Sequence, residues 1–288
     1  MSAALRFQQG MQTVMPSKAN TSVRPPAVAG YFYPKDPAQL KSVVEELIAA
    51  AAVPEIPTAA HAYIVPHAGY PYSGPIAAVV YAAIAAQRSV IRRVVVVGPS
   101  HRAYVRGVAL PRSNAFATPL GVIPIDRAAC RMLSERGDVI VDDAPHASEH
   151  SLEVQLPFLQ TVLDEFELVP LLGGDASADH VGSLLEQFWG DETTLVLASS
   201  DLSHYHAYDV AQRLDATTSA AILRRAEDLQ GDQACGAVAI NGLMNVARTF
   251  GCKVSELVRL NSGDTAGDRA RVVGYGAFAV HDRDPNAA

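Results

Sequence analysis

Residues 94–101 read Val-Val-Val-Val-Gly-Pro-Ser-His, and this stretch indicates the class of fold. Four consecutive valines show no polar alternation, so we predict a strand that is covered on both faces, as in a parallel or mixed sheet between helices. Gly98 and Pro99 are expected to end the strand, because proline cannot donate to the ladder and glycine permits a sharp turn. His101 then lies beyond the strand's carboxyl end, the edge at which open α/β sheets bind ligands.

Three other apolar runs end in the same kind of polar loop. They are residues 61–65 before His67, residues 194–198 before Asp201 and His204, and residues 257–260 before Asp264. A single histidine after a strand is weak evidence for a ligand site, because such residues commonly serve in turns. Four loops of this kind are expected to meet at one edge of the sheet if their strands share a direction. The repetition therefore predicts a polar site at that edge.

Strands and helices alternate along the rest of the chain, without an internal repeat of about 20–50 residues. We predict one α/β domain over residues 24–282, with a central mixed, mostly parallel sheet covered by helices. Residues 1–23 lack an acidic residue and the apolar core of a secretory signal. They are predicted to form a flexible extension, and residues 283–288 a tail.

The composition excludes several classes of partner. The formal net charge is -7 and no basic block is present, which argues against nucleic acid, since phosphate contacts need clustered lysine and arginine. No apolar run approaches the ~20 residues that a membrane span needs, which argues against insertion into a membrane. The 3 cysteines form no C-x-x-C pair, which is typical of a reducing compartment, and we predict a cytoplasmic protein.

The polar loops contain the residue types of a mononuclear metal site. Two neutral imidazoles and one carboxylate, with other positions open, form the facial arrangement of non-haem Fe(II) oxygenases. His67, His101 and Asp264 could supply these groups from separate loops. His204 is the candidate for proton transfer, because an imidazole titrates at about pH 6.5, and Asp201 could act beside it.

Four further residues are predicted to line a substrate pocket: Tyr70, Tyr205, His150 and Cys235. Each has a simpler alternative. The tyrosines could merely pack with a hydrated hydroxyl, and His150 could belong to a solvated helix start. Cys235 precedes a helix, where a thiol can act as a nucleophile or be purely structural. The P-loop, dinucleotide-binding and nucleophile-elbow motifs are absent.

A series of short motifs runs along residues 24–281: 24–34 (RPPAVAGYFYP), 66–70 (PHAGY), 98–101 (GPSH), 149–158 (EHSLEVQLPF), 199–205 (SSDLSHY), 235–236 (CG), 261–264 (NSGD) and 272–275 (VVGY). In these motifs and their order the sequence resembles the Memo-like proteins, also called AmmeMemoRadiSam system protein B. This resemblance implies a fold related to class III extradiol dioxygenases, which use Fe(II) and O2 to cleave catechol rings. On this resemblance His67 and His101 match the family's metal-binding histidines, and His204 matches the position of the dioxygenases' base.

The resemblance implies a metal-binding protein. We predict a non-haem Fe(II)-dependent dioxygenase or related oxidoreductase that acts on an unidentified small molecule, with copper and zinc as alternative metals. The alternative function is non-catalytic binding of a metal, a peptide or a phosphopeptide. Bacterial members are often named with a radical SAM protein, which is therefore a further candidate partner.

Overall fold

A mixed sheet with the valine strand near its centre organises the protein. The computed structural model describes residues 22–55 and 60–282; residues 1–21 of the predicted extension and the predicted tail at 283–288 lie outside the described residues. The strands are β1 (Val23–Arg24), β2 (Ala60–Val65), β3 (Arg93–Pro99), β4 (Val108–Leu110), β5 (Ala115–Thr118), β6 (Gly121–Pro124), β7 (Val139–Val141), β8 (Glu167–Gly173), β9 (Thr194–Ser199), β10 (His204–His206), β11 (Lys253–Asn261) and β12 (Val272–His281). The helices are α1 (Pro37–Ala50), α2 (Tyr70–Ile84), α3 (Arg127–Ser134), α4 (Ala144–Ala147), α5 (Leu156–Val162), α6 (Ala178–Leu185), α7 (Tyr208–Leu223) and α8 (Ala237–Thr249).

Nine of the described strands form the main sheet, in the order β10-β12-β2-β9-β3-β8-β4-β7, with β11 also paired to β12. The central strands β2, β9, β3 and β8 run parallel to one another. β12 is antiparallel to β2, and β4 is antiparallel to β8. β1, β5 and β6 form a separate small sheet. The prediction of a mixed sheet with parallel strands at its centre is therefore confirmed.

The valine strand is buried on both faces. The valines at 94–97 have no exposed surface, because β8 and β9 flank β3 and helices cover the sheet. Gly98 and Pro99 still pair with β8, and the strand ends there, as the sequence predicts. Pro99 is the last residue of the strand, and its carbonyl accepts a hydrogen bond from Ser151 Oγ at 2.9 Å.

Two groups of helices cover the sheet. Helices α1, α2 and α5 pack on one another, and α6 packs on α8. Gly242 of α8 permits the second contact, because a Cβ atom there would lie 2.3 Å from Val181 Cγ1 of α6. Within residues 22–55 and 60–282, no helix combines the length and the apolar character that a membrane crossing requires.

The topology brings three of the four predicted loops together. β9 lies between β2 and β3 and is parallel to both, so the loops that follow these strands are neighbours at one edge of the sheet. β11 runs in the same direction as β2, because two antiparallel steps through β12 restore the direction. β12 nevertheless separates the loop after β11 from the other three loops.

Candidate metal centre

Three histidines meet at the carboxyl edge of the central strands. His67 follows β2, His101 follows β3, and His150 lies shortly before the short 3-10 helix Glu153–Gln155. One ring nitrogen from each histidine lies within 4.8 Å of those of the other two. His67 is buried, His150 is partly buried and His101 is exposed, so the cluster is accessible from one side.

His67 is held on three sides. Its Nδ1 lies 2.9 Å from Ser199 Oγ, its Nε2 lies 3.2 Å from Cys235 Sγ, and its backbone N–H donates to the Asp201 carboxylate at 2.8 Å. Burial, together with the neighbouring imidazoles, lowers the pKa of His67 well below its ordinary value. The ring is therefore neutral at about pH 7, which is the state in which an imidazole binds a metal.

A buried carboxylate, Glu149, orients the other two rings. It accepts from the backbone N–H of His101 at 2.6 Å, and its Oε1 lies 3.0 Å from His101 Nδ1 and 3.2 Å from His150 Nδ1. Burial alone would raise the pKa of Glu149, but the contacts with the two imidazoles lower it well below its usual range. A carboxylate can only accept, so Nδ1 of His101 carries a proton, and in the neutral ring the lone pair is on Nε2. Proteins commonly orient metal-binding histidines in this way.

The histidine cluster forms one wall of a cavity of about 550 Å³. The other predicted site residues that line this cavity are Asp201, His204, Tyr205 and Cys235. Phe32 completes one side, and its ring centroid lies 4.7 Å from that of His150. The volume suits a small molecule, since such sites usually measure about 300–1,000 Å³.

His204 carries its proton on Nδ1. That atom lies 2.8 Å from the carbonyl oxygen of Leu202, which can only accept. In the neutral ring Nε2 is therefore able to accept a proton, as a general base requires. The next residue, Tyr205, has a φ of 62°, a left-handed conformation that is uncommon for tyrosine and that concentrates at functional sites.

Cys235 and Asp201 lie beside the cluster, and burial shifts the pKa of both side chains. Burial raises the pKa of the Cys235 thiol to about 12, so the thiol is protonated and is a poor nucleophile. Burial also raises the pKa of Asp201, whose carboxylate holds the backbone of His67. Gly236 lets the chain pass close to β9, because a Cβ atom there would lie 2.4 Å from the Ser199 carbonyl oxygen.

The structure places two predicted site residues away from the cluster. The carboxylate of Asp264 accepts from the Tyr208 hydroxyl at 2.5 Å and from the Asn261 N–H at 3.0 Å, beside a separate small cavity. β12 separates its loop from the histidines, so Asp264 does not join them. Tyr70 is buried, donates its hydroxyl to the Val154 carbonyl at 2.8 Å, and does not line the 550 Å³ cavity.

Sequence reasoning missed His150 as a candidate metal ligand and Glu149 as the carboxylate that orients it. Helix α4 and a turn, not a strand, precede this pair, so a search for polar loops after apolar strands could not find it. The available signal was the adjacent acid and histidine themselves, because ligating histidines commonly have a carboxylate partner.

Known proteins similar to this chain identify its family. The family model described as Memo-like protein matches residues 24–279. A MEMO1 family protein of Desulfurococcus amylolyticus is 35% identical over 280 residues, which covers 90% of this chain and 99% of the relative. A MEMO1 family protein of Ignicoccus hospitalis is 36% identical over 281 residues, with 88% and 97% covered. The chain therefore belongs to the Memo-like protein family, as its motifs predict.

Proposed function

We propose that this protein binds one divalent first-row metal ion through His67, His101 and His150, and that it acts as an Fe(II)-dependent dioxygenase or related oxidoreductase. The observation that carries the proposal is the cluster of three imidazole nitrogens within 4.8 Å of one another on the wall of a cavity. His150 takes the place that the sequence suggested for Asp264, because the Asp264 carboxylate is engaged elsewhere.

The donor set fits a first-row metal. Neutral imidazoles bind iron, copper and zinc, and the lowered pKa of His67 keeps a lone pair available. No carboxylate joins the cluster within the described part of the chain, which distinguishes it from two histidines and one carboxylate. Cys235 Sγ is a soft donor 3.2 Å from His67 Nε2 and would favour copper or zinc if it also bound. Copper and zinc therefore belong in every metal test beside iron.

The residues around the cluster could support oxidation of a bound small molecule. Fe(II), when bound, would supply the chemistry that activates O2. His204 would accept a proton from a substrate hydroxyl at Nε2, since its Nδ1 donates to a backbone carbonyl. Asp201 acts as a positioning group through the backbone N–H of His67. The aromatic rings of Phe32 and Tyr205 would line two sides of the bound substrate.

A second candidate is a protein that binds a metal or a phosphopeptide in the same cavity without turnover. Arg102 favours this function, because it lines the cavity beside the histidines. Its guanidinium makes no hydrogen bond or ion pair with the residues that the structure describes. A free guanidinium at a cavity is suited to a phosphate or carboxylate group.

Metal binding by anaerobically purified protein tests the first part of the proposal. Wild type is expected to bind about one Fe(II), and His150→Ala to lose most of this affinity while remaining folded. Asp264→Asn is the matched control, because its carboxylate lies outside the cluster, and it should bind Fe(II) as wild type does. Equal binding by wild type and His150→Ala would contradict the ligand set.

O2 consumption over a panel of catechols tests the second part. An enzyme is expected to consume O2 with at least one catechol and to lose this activity in His204→Gln while keeping its metal. Absence of uptake across the panel, together with phosphopeptide binding that Arg102→Ala abolishes, would favour the binding protein instead.

A further inference from the structure

Ser199 lies where three polar groups converge on one hydroxyl. It is the last residue of β9, and its side chain is completely buried. Its Oγ lies 2.6 Å from the Ser151 carbonyl oxygen, 2.9 Å from Gln155 Nε2 and 2.9 Å from His67 Nδ1. A hydroxyl has one proton to donate and two lone pairs to accept with, so the three contacts can be assigned.

The amide of Gln155 has a fixed orientation. Its Oε1 accepts from the buried Tyr81 hydroxyl at 2.7 Å, and its Nε2 donates to the Pro66 carbonyl at 3.0 Å. A carbonyl can only accept, so the atom that faces Pro66 and Ser199 must be the nitrogen. Gln155 therefore donates to Ser199.

The acceptor of the Ser199 hydroxyl proton is also determined. The Ser151 carbonyl can only accept, so it takes the hydroxyl proton. With that proton given away and one lone pair occupied by Gln155, Ser199 can only accept from His67. If Ser199 donated to His67 instead, the buried Ser151 carbonyl would lose this hydrogen bond, which is costly for a buried acceptor.

We propose that Ser199, oriented by Ser151 and Gln155, is the positioning residue that holds His67 with its proton on Nδ1 and its lone pair on Nε2. Nε2 is the nitrogen that faces Cys235 at 3.2 Å, beside the cavity. His101 reaches the same form through the carboxylate of Glu149, whereas His67 reaches it through a neutral hydroxyl. The consequence for metal affinity rests on the proposed function; the position of the proton does not.

Long-range ¹H–¹⁵N correlation spectra of metal-free, ¹⁵N-histidine-labelled full-length protein test the position of the proton. The signals of His67 are identified by their absence in His67→Gln. Wild type is expected to show His67 neutral and protonated on Nδ1. A His67 ring protonated on Nε2 would overturn the proposal, and this result needs no variant of Ser199 to fold.

Variants of Ser199 then test its role. Ser199→Ala is expected to leave His67 in a mixture of the two neutral forms and to weaken Zn²⁺ binding by about 10–100-fold. Ser199→Thr keeps the hydroxyl and should retain the wild-type spectrum and affinity. Ser73→Ala is the matched control: Ser73 is also buried, and its hydroxyl donates to the Ala68 carbonyl at 2.9 Å and not to His67.

The results of these experiments distinguish a failure of the positioning role of Ser199 from a failure of the proposed metal site. An unchanged His67 spectrum in folded Ser199→Ala would overturn the role of Ser199. A wild-type His67 protonated on Nδ1 in a protein that binds neither Zn²⁺ nor Fe(II) would support the positioning role and overturn the proposed function. Equal changes in Ser73→Ala and Ser199→Ala would show a general packing effect and overturn the specific role of the hydroxyl.

Discussion

Replacing Glu153 by glutamine is expected to destabilise the protein by about 3–5 kcal/mol. Glu153 and Arg24 form a buried ion pair with side-chain exposures of 0% and 4%. The carboxylate also accepts from the backbone N–H groups of Ala27 and Val28, at 2.7 Å and 3.0 Å, and from the Tyr33 hydroxyl at 2.5 Å. Four donors therefore converge on two oxygens, and they fasten the segment that contains Phe32 to the rest of the protein.

The size of this destabilisation follows from the groups that Glu153→Gln would leave without a partner. The glutamine amide has one oxygen, so its NH2 group would face donors, and the Arg24 guanidinium would remain buried without a counter-charge. Removing one partner of a buried pair typically costs about 3–5 kcal/mol, whereas an exposed pair contributes about 0–1 kcal/mol. Asp164→Asn is the matched control, because it breaks the exposed pair of Arg88 and Asp164 at 3.0 Å.

Urea-induced unfolding of wild type, Glu153→Gln and Asp164→Asn gives the loss in free energy of unfolding for each of the two variants. We expect a large loss in Glu153→Gln and a loss below about 1 kcal/mol in the control. Adding Arg24→Met to Glu153→Gln should recover part of the loss, because it removes the unpaired charge. A loss in Glu153→Gln no larger than that of the control would show that the buried pair contributes no more to stability than an exposed one.

Burial lowers the pKa of His146 to about 4, so the unfolded chain takes up this proton near its ordinary pKa of 6.5 and the folded chain only near 4. The free energy of unfolding should therefore fall by about 3 kcal/mol as the pH drops through this interval, and urea titrations should show a smaller fall in His146→Leu. Gly236→Ala would place a Cβ atom 2.4 Å from the Ser199 carbonyl oxygen, so we expect a loss of about 1–3 kcal/mol in urea unfolding and weaker Fe(II) binding; wild-type values for both would contradict the close contact. His204→Gln should keep its Fe(II) affinity and lose O2 uptake by about 100-fold or more, whereas a parallel loss of metal would identify His204 as a ligand.

The central strands could be predicted because burial leaves a local pattern in the sequence. The valines at 94–97 lack alternation since both faces of β3 are covered, and His67 and His101 follow their strands closely. The lateral order of the strands depends on pairing between distant segments and has no such pattern. β11 has the direction that would bring Asp264 to the site, but β12 lies between β11 and β2 and keeps Asp264 away from the histidines.

The remaining parts of the site depend on contacts between distant segments. His150 has no strand before it, and its position beside His67 follows from the packing of the segment that carries it. Ser199 is 132 residues from His67 and 44 residues from Gln155 along the chain, so its role is visible only in the fold. The order of the motifs was sufficient to predict the family, whereas the proposed metal ligands could be identified only from the geometry of the fold.

X-ray absorption at the metal edge of the anaerobically loaded protein is the decisive test of the proposed three-histidine metal site, because it counts imidazole ligands. We expect one bound metal with three histidine ligands in wild type, and a lower histidine count or no metal in His150→Ala. Asp264→Asn should give the wild-type spectrum. A wild-type protein that binds no metal, or a histidine count that His150→Ala leaves unchanged, would contradict a metal site formed by His67, His101 and His150.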